Sequence, residues 1–212
     1  MYVTNGSVVL DGATVTSTTD VAITASGPNS AVVLNSGKVN AQESGVLLVQ
    51  GSSFEMNGGE FECVDNCPIQ GNGSAGQGDV NIVMNGGKLT AHITTSGYIA
   101  CAVYMPNSGS FTMNGGEIES DGCGICMRGG EVNLNGGSVV ANGATGVSGK
   151  VGDSRVVIGP YAVVYDPRSK YPAVDTLELN IAKDMNLEGT DGDIDTVLEA
   201  GRAANINDQR NI

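Results

Sequence analysis

The sequence predicts an all-β protein, a single-stranded right-handed parallel β-helix (solenoid) of about seven coils with a short C-terminal cap or arm. Three observations predict this fold class: a recurring Asn-Gly-Gly hexad, alternating apolar and polar residues on both sides of it, and an aliphatic segment that returns once in each unit. A period of this length is typical of solenoids, in which one repeat cannot bury its apolar face alone.

The hexad recurs at intervals that neither a helix nor an ordinary hairpin produces. Successive copies start 24, 22, 28, 29, 21 and 24 residues apart. Because glycine accepts positive φ and Asn tolerates it, we expect a turn at each copy. The strong copies are MNGGEF at 56–61, MNGGKL at 84–89, MNGGEI at 113–118 and LNGGSV at 134–139, and the weaker ones are LDGATV at 10–15, LNSGKV at 34–39 and IGPYAV at 158–163.

Short stretches that alternate between apolar and polar residues precede and follow the hexad, which predicts two strands with one buried face each. Three strands per turn with parallel pairing between turns form a β-helix. Antiparallel hairpins remain an alternative, because Asn-Gly is also a strong hairpin signal. The third strand is predicted where a small residue precedes Val or Ile, at 44–46, 67–69, 101–103, 123–125 and 145–147.

The repeating unit is a small residue with Val or Ile, a loop, and then Phe-x-Met-Asn-Gly-Gly-x-Ile. It resembles the repeats of right-handed parallel β-helix proteins from Gram-positive gut bacteria and their phages, over roughly residues 5–165. Proteins of this shape include polysaccharide lyases, adhesins, tailspikes and capsid-attached fibres, so the resemblance is more specific for fold than for function.

Stacked coils bring the hexad asparagines together, where their amides can hydrogen-bond from coil to coil. The resemblance implies the same asparagine ladder. We expect the ladder to be structural and to satisfy buried polar groups at the turn. Its members are Asn35, Asn57, Asn85, Asn114 and Asn135, with Asp11 at the same position in the first coil.

Composition excludes several classes of function. A net charge of −13 argues against nucleic-acid binding, which needs clustered Lys and Arg. No apolar run approaches the roughly 20 residues of a membrane span. The N-terminus lacks the basic and apolar regions of a signal peptide, so we expect synthesis in a cytoplasm without export by the chain itself. Five cysteines, an odd number, fit reduced thiols better than a disulfide framework.

The repeat occupies residues 1–174, and residues 175–212 form a more acidic segment that we expect to cap the rod or attach it to a partner. Residues Leu177 to Leu187 still alternate and can complete the rod. Residues Asp195 to Asn205 predict a short helix with Asp195 as its N-cap.

The two longest insertions are predicted to lie on one face of the solenoid, which is often the binding face. They extend from Asn72 to Gly78 and from His92 to Tyr98. The candidate binding residues in these loops are Asn72, Gln77, His92 and Tyr98. A Ser–His–Asp site at the only histidine is an alternative to a simply exposed side chain.

Three cysteines align in successive coils, directly before the aliphatic residue of the third segment: Cys67, Cys101 and Cys123. We expect them to pack as small apolar side chains. Zinc binding is the more specific alternative, but zinc requires tetrahedral ligands and three thiols in a line do not converge in this way. A redox pair at Cys123 and Cys126 and a disulfide between stacked coils are further alternatives.

The residue after each Asn-Gly-Gly alternates in charge, as Lys38, Glu60, Lys88 and Glu117. We expect a solvent-facing row of opposite charges. As catalytic carboxylates, Glu60 and Glu117 would lie about 9.6 Å apart, but Lys88 between them would keep both ionised. The acidic run from Asp191 to Asp195 departs from the EF-hand template and predicts a solvated turn, with calcium binding as the alternative.

We therefore expect a non-enzymatic phage virion protein, capsid-decorating or fibre-like, that can contact host or mucosal glycans. No cofactor, metal or catalytic residue is expected. The expected partners are copies of the chain, with a trimer as one arrangement, and another virion protein such as the capsid. The alternatives are a glycan-binding adhesin module of a secreted bacterial surface protein, located at the cell surface, and a polysaccharide lyase or hydrolase.

Overall fold

The computed structural model describes residues 1–71, 78–94, 101–106, 109–142, 155–158, 163–165, 176–188, 194–197 and 203–210. All regular elements in these ranges are β-strands. In chain order they are β1 (Tyr2–Thr4), β2 (Ser7–Leu10), β3 (Ala13–Ser17), β4 (Ile23–Ser26), β5 (Ala31–Leu34), β6 (Gly37–Ala41), β7 (Val46–Val49), β8 (Ser53–Met56), β9 (Glu60–Val64), β10 (Ile69–Gly71), β11 (Val80–Met84), β12 (Lys88–His92), β13 (Cys101–Met105), β14 (Gly109–Met113), β15 (Glu117–Ser120), β16 (Cys123–Met127), β17 (Gly130–Leu134), β18 (Ser138–Ala141), β19 (Arg155–Ile158), β20 (Val163–Tyr165), β21 (Thr176–Ile181), β22 (Asn186–Glu188), β23 (Ile194–Val197) and β24 (Ala203–Asp208).

The strands form three sheets because every third strand returns to the same sheet. Sheet A has the order β1-β4-β7-β10-β13-β16-β20-β19-β23, sheet B has β2-β5-β8-β11-β14-β17-β21-β24, and sheet C has β3-β6-β9-β12-β15-β18-β22. Strands β1 to β18 make six regular coils with parallel pairing, and β20, β21 and β22 add a seventh strand to each stack. The predicted parallel β-helix is confirmed, and the hairpin alternative for the repeats is wrong.

The hexads form the corner between sheets B and C, where we expected a turn. The second glycine of one copy, Gly116, has a φ of 94°, which strains any residue with a side chain. The first glycine, Gly115, is needed for a different reason: a Cβ there would lie 2.9 Å from the carbonyl oxygen of Asn85 in the preceding coil. The hexad asparagines do not adopt positive φ, so their expected tolerance of that conformation is not used.

Inward side chains of equal register stack into columns that form one continuous core. Phe54 and Phe61 join two columns across the corner, with ring centroids 6.2 Å apart in an edge-to-face arrangement. Burying a side chain of this size stabilises the fold by about 2–3 kcal/mol. One column of sheet B contains Val32, Phe54, Ile82, Phe111, Val132 and Leu179, and its neighbour contains Leu34, Met56, Met84, Met113, Leu134 and Ile181.

The regular repeat ends after β18, and here the sequence expectations fail in two places. IGPYAV at 158–163 was expected to be a further hexad, but Ile158 ends β19 and Val163 begins β20, and these two strands pair antiparallel in sheet A. The aliphatic residue that follows Ile125 in the stack is Val163, not the expected Val147, which lies outside the described residues. The seventh corner between sheets B and C lies instead between Ile181 and Asn186.

The strands after residue 175 add to the same three sheets. Strands β21 and β22 follow β17 and β18, so the alternating stretch from Leu177 to Leu187 does continue the rod. The expected short helix from Asp195 to Asn205 is wrong. Asp195 lies in β23, antiparallel to β19, and Asn205 lies in β24, parallel to β21. Backbone pairing with existing sheet edges outweighs the weak local helix preference. The described part of the chain has no helix long and apolar enough to cross a membrane.

Candidate functional site on the outer face of sheet C

The outward side chains of sheet C, which we call the sheet C face, form rows that run from coil to coil. They point outward because residues at intervening positions, such as Phe61 and Leu89, are buried in the core. The first row contains Thr14, Lys38, Glu60, Lys88, Glu117, Ser138 and Asn186. The predicted alternation of charge is therefore present in neighbouring strands and in register.

Each lysine of this row forms ion pairs with two glutamates of the following coil. Lys38 Nζ lies 3.5 Å from Glu60 and 3.2 Å from Glu62. The hydrogen bond to Glu62 is the largest cause that raises the pKa of Lys38, and desolvation opposes it.

The second lysine repeats the arrangement two coils further along the rod. Lys88 Nζ lies 3.8 Å from Glu117 and 2.8 Å from Glu119. Its hydrogen bond to Glu119 is the main cause that raises the pKa of Lys88. The repeated geometry indicates that these charges connect coils.

The carboxylates considered for catalysis lie in this exposed row. Glu60 and Glu117 face Lys88 from either side in register, and their side chains are 64% and 61% exposed. A general acid in a glycosidase needs a desolvated environment that raises its pKa. Glu60 and Glu117 instead lie in solvent beside Lys38 and Lys88, which is not such an environment.

A shallow polar depression lies beside the ion pairs on the sheet C face. It has a volume of about 330 Å³ and is lined by Glu60, Phe61, Glu62, Lys88, Thr90, His92 and Glu119. A neighbouring depression of about 180 Å³ shares Glu62 and continues toward Thr16 and Asn40. Together they extend from β3 to β15 and present carboxylates, hydroxyls, amides and an imidazole. Their only aromatic residue, Phe61, is 1% exposed, so its ring offers little stacking surface.

The sequence suggested that His92 lies in a loop, but the structure places it as the last residue of β12. Its Nδ1 lies 3.2 Å from Asp121 Oδ2, which also accepts the backbone N–H of Ile93 at 3.2 Å. From the preceding coil, Asp65 accepts the backbone N–H and the hydroxyl of Thr94, both at 2.6 Å. Two aspartates from neighbouring coils thus hold the segment after β12, and the sequence did not point to either of them.

The asparagine ladder is present, but it lies on the outside of the solenoid. From Asn57 onward, each side-chain amide donates to Oδ1 of the preceding member, and all five members are exposed. The expectation that the ladder satisfies buried groups is wrong, since Met56 and its equivalents point inward and the next residue must point outward. The bonds are Asn57 to Asn35 at 3.0 Å, Asn85 to Asn57 at 2.8 Å, Asn114 to Asn85 at 2.8 Å and Asn135 to Asn114 at 2.9 Å. In the first coil Asp11 accepts from Ser36, at 2.9 Å.

A second row of asparagines on sheet B was missed by the sequence analysis. Asn180 donates to Asn133 at 2.9 Å, and Asn207 donates to Asn180 at 3.5 Å. All three occupy one register position in β17, β21 and β24. The signal in the sequence is an Asn that lies between two apolar residues, the second of which ends the strand. Examples are Val132-Asn133-Leu134 and Leu179-Asn180-Ile181.

The three aligned cysteines are stacked as predicted, and a fourth joins them. Cys67, Cys101, Cys123 and Cys126 form a buried cluster that is separate from the main core and packs against Tyr104. All four are free thiols, so the alternative of a disulfide between coils is not realised. Arg128 lies over the Tyr104 ring, with Cζ 5.9 Å from its centroid.

Several predicted residues cannot be placed on the site. Asn72, Gln77 and Tyr98, with Asp191 and Asp193, lie outside the described residues. The two long insertions follow β10 and β12, so they leave the rod from different sheets rather than from one face. Within the described ranges, no group of three or more His, Cys, Asp or Glu side chains has a geometry that could hold a metal ion.

No protein-family model, curated protein sequence or solved structure matches the chain.

Proposed function

We propose that the chain is a non-enzymatic structural rod of a phage virion, capsid-decorating or fibre-like, which assembles with other chains. A non-enzymatic role is supported by the charged side chains on the sheet C face, because they form ion pairs with one another. Lys38 and Lys88 each connect two glutamates of the next coil, at 2.8 to 3.8 Å. Charges arranged in this way stabilise a rod and are poorly suited to proton transfer.

Assembly with another chain is supported by the first coil. Its strands β1, β2 and β3 are the last strands of their sheets on one side. Three large apolar side chains on this coil are exposed, namely Met1 at 59%, Tyr2 at 68% and Val9 at 54%. Exposed apolar side chains on this coil favour docking of a further chain, which can be a second copy or a capsid protein.

The test of the virion proposal is the composition of phage particles. Particles from a bacterium that carries the gene are purified on a density gradient, and their proteins are quantified by mass spectrometry. We expect the chain in the particle band at a fixed ratio to the major capsid protein. Recovery of the chain only with the cell envelope would contradict the proposal.

Docking through the first coil is tested with the purified protein and particles that lack the chain. The double variant Tyr2→Lys with Val9→Lys should bind these particles at least about tenfold more weakly, since charges then replace the apolar contact. Thr112→Lys, on the outer face of sheet B and remote from the first coil, is the matched control. Equal binding by the double variant would rule out the first coil as the docking surface.

The second candidate is a glycan-binding adhesin module, and the polar depression on the sheet C face favours it. Thr90, His92, Glu62 and Glu119 present hydrogen-bonding groups in one shallow site. A glycan array with the wild-type protein and Thr90→Arg tests the depression as a glycan site, because Arg would fill it. Binding that Thr90→Arg abolishes would support the adhesin. Release of new reducing ends from any glycan would support the third candidate, a polysaccharide-cleaving enzyme, and contradict the other two.

A further inference from the structure

The proposed docking through the first coil does not involve the cluster of four cysteines. The thiols of Cys67, Cys101, Cys123 and Cys126 come from three successive coils and are between 1% and 8% exposed. Cys101 and Cys123 are direct neighbours on the parallel strands β13 and β16. Cys67 stands two residues before Ile69, which pairs with Val103, so it faces Cys101 from the other side.

Cys101 is the hub of the cluster. It lies between Cys67 in the preceding coil and Cys123 in the following coil, and its interaction with Cys123 is the largest cause that raises its pKa well above the usual value. Neighbouring strands are about 4.8 Å apart, and this spacing falls inside the range of about 4.4–6.8 Å that a disulfide requires between Cα atoms. Cys123 and Cys126, by contrast, are three residues apart in the extended strand β16, where about 10 Å separates their Cα atoms. Cys101 is therefore the common partner for a cross-link in this cluster.

We propose that this cluster is an oxidation site in which one disulfide, always involving Cys101, joins two neighbouring coils of the folded rod. Its partner is Cys67 in the preceding coil or Cys123 in the following one. Because Cys101 can form only one such bond, the cluster takes up one disulfide although it contains four thiols. Cys63, the fifth cysteine, is buried outside the cluster and stays reduced.

The oxidant is a small-molecule disulfide such as oxidised glutathione. A cluster thiolate attacks one glutathione sulfur, which forms a mixed disulfide and releases one reduced glutathione. Cys101 then attacks the protein sulfur of this mixed disulfide, and the second glutathione leaves as the thiol. The protein loses two electrons and two protons, and the glutathione disulfide gains them.

One feature of the cluster supports this sequence of steps. Cys67 stands opposite Cys101 in the neighbouring coil. Hydrogen bonding from Cys101 lowers the pKa of the Cys67 thiol, which increases the fraction of reactive thiolate beside Cys101.

The test treats the folded, purified protein with oxidised glutathione and then removes the reagent. We expect the intact mass to fall by about 2 Da, with three of the five thiols still open to alkylation after unfolding. Peptide mapping should locate the disulfide at Cys101, and the chain should remain monomeric on a non-reducing gel. The melting temperature should rise by a few degrees and return to its starting value on reduction.

Serine variants make the proposal specific. Cys101→Ser should form no intramolecular disulfide, whereas Cys63→Ser should form it as readily as the wild type. Cys67→Ser and Cys123→Ser each leave Cys101 with one partner and should still form a disulfide, which keeps the test valid if Cys101→Ser fails to fold. Any of three results would overturn the proposal: five reactive thiols after treatment, a disulfide that excludes Cys101, or cross-linking between chains.

Discussion

The side-chain amide of Asn85 donates to Oδ1 of Asn57 at 2.8 Å, on the solvent side of the corner between sheets B and C. Asn85 in turn accepts the amide of Asn114 at 2.8 Å, so a residue within the ladder takes part in two such bonds. Water competes with these exposed bonds, and each contributes less than a buried bond would. The ladder therefore fixes the coil register more than it supplies stability.

Asn85→Ala should lower the free energy of unfolding by about 1 kcal/mol, because it removes both bonds but leaves no buried polar group. Asn35→Ala is the matched control, since Asn35 is the first member and accepts a single amide, from Asn57. It should cost about half as much. Urea unfolding of both variants measures the difference. A loss above about 3 kcal/mol for Asn85→Ala would indicate that the ladder is buried after all.

The sequence predicted the coils because one hexad carries two independent physical signals. Apolar residues at Met56 and Phe61 define buried faces of two strands, and the glycines between them permit a corner where coils approach closely. The same alternation also predicts that Asn57, next to the inward Met56, points outward. An asparagine ladder at this position is therefore exposed, because it follows a buried residue of the strand.

The seventh coil was mispredicted because its corner has no hexad. The chain turns there through Ala182-Lys183-Asp184-Met185, and Met185 is 5% exposed, so a longer turn buries its own apolar side chain. No glycine pattern marks such a turn. The strands β23 and β24 were missed for a related reason, because their conformation depends on pairing with β19 and β21 rather than on local preference.

Gly45→Ala should destabilise the protein by about 3 kcal/mol or more. A Cβ at this position would lie 2.0 Å from Phe61 Cε2 and 2.7 Å from the carbonyl oxygen of Pro68. The Phe61 ring is fully buried and packs against Phe54, so it cannot move aside without loss of packing. Gly6→Ala is the matched control, because no atom lies within 4 Å of a Cβ there. Thermal melts should separate the two variants. Equal melting temperatures would contradict the close packing of Phe61 and Pro68 against Gly45.

Lys88→Met should cost less than about 1 kcal/mol in low salt, and the cost should shrink further in high salt. The reason is that its ion pairs with Glu117 and Glu119 are partly exposed. Lys183→Met is the control because Lys183 is an exposed lysine in the turn before β22 and its loss changes the net charge equally. A salt dependence shared by both variants would show that overall charge, rather than the pairs, is responsible.

Stability should fall steeply in alkaline solution because the buried groups Cys63, Cys101 and Tyr104 hold their protons in the folded state. Burial raises the pKa of Cys63 from 9.0 to about 12 and that of Tyr104 from 10.0 to about 12. Their contribution is complete below the unfolded pKa values and is lost as the pH rises toward 12, since only the unfolded chain releases these protons. The free energy of unfolding should drop by about 1.4 kcal/mol per pH unit from Cys63 above pH 9, with a similar slope added by Tyr104 above pH 10.

Urea unfolding at pH values from 8 to about 11 measures these slopes. Cys63→Ala should lessen the decrease between pH 9 and 10, where Cys101, whose pKa is also raised, still contributes, and Tyr104→Phe should reduce the slope above pH 10. Tyr2→Phe, at a side chain that is 68% exposed, is the control for Tyr104→Phe and should leave the profile unchanged. A slope that Cys63→Ala leaves unchanged would mean that this thiol ionises as readily in the folded protein as in the unfolded chain, which would contradict its burial beside Glu43 and Cys67.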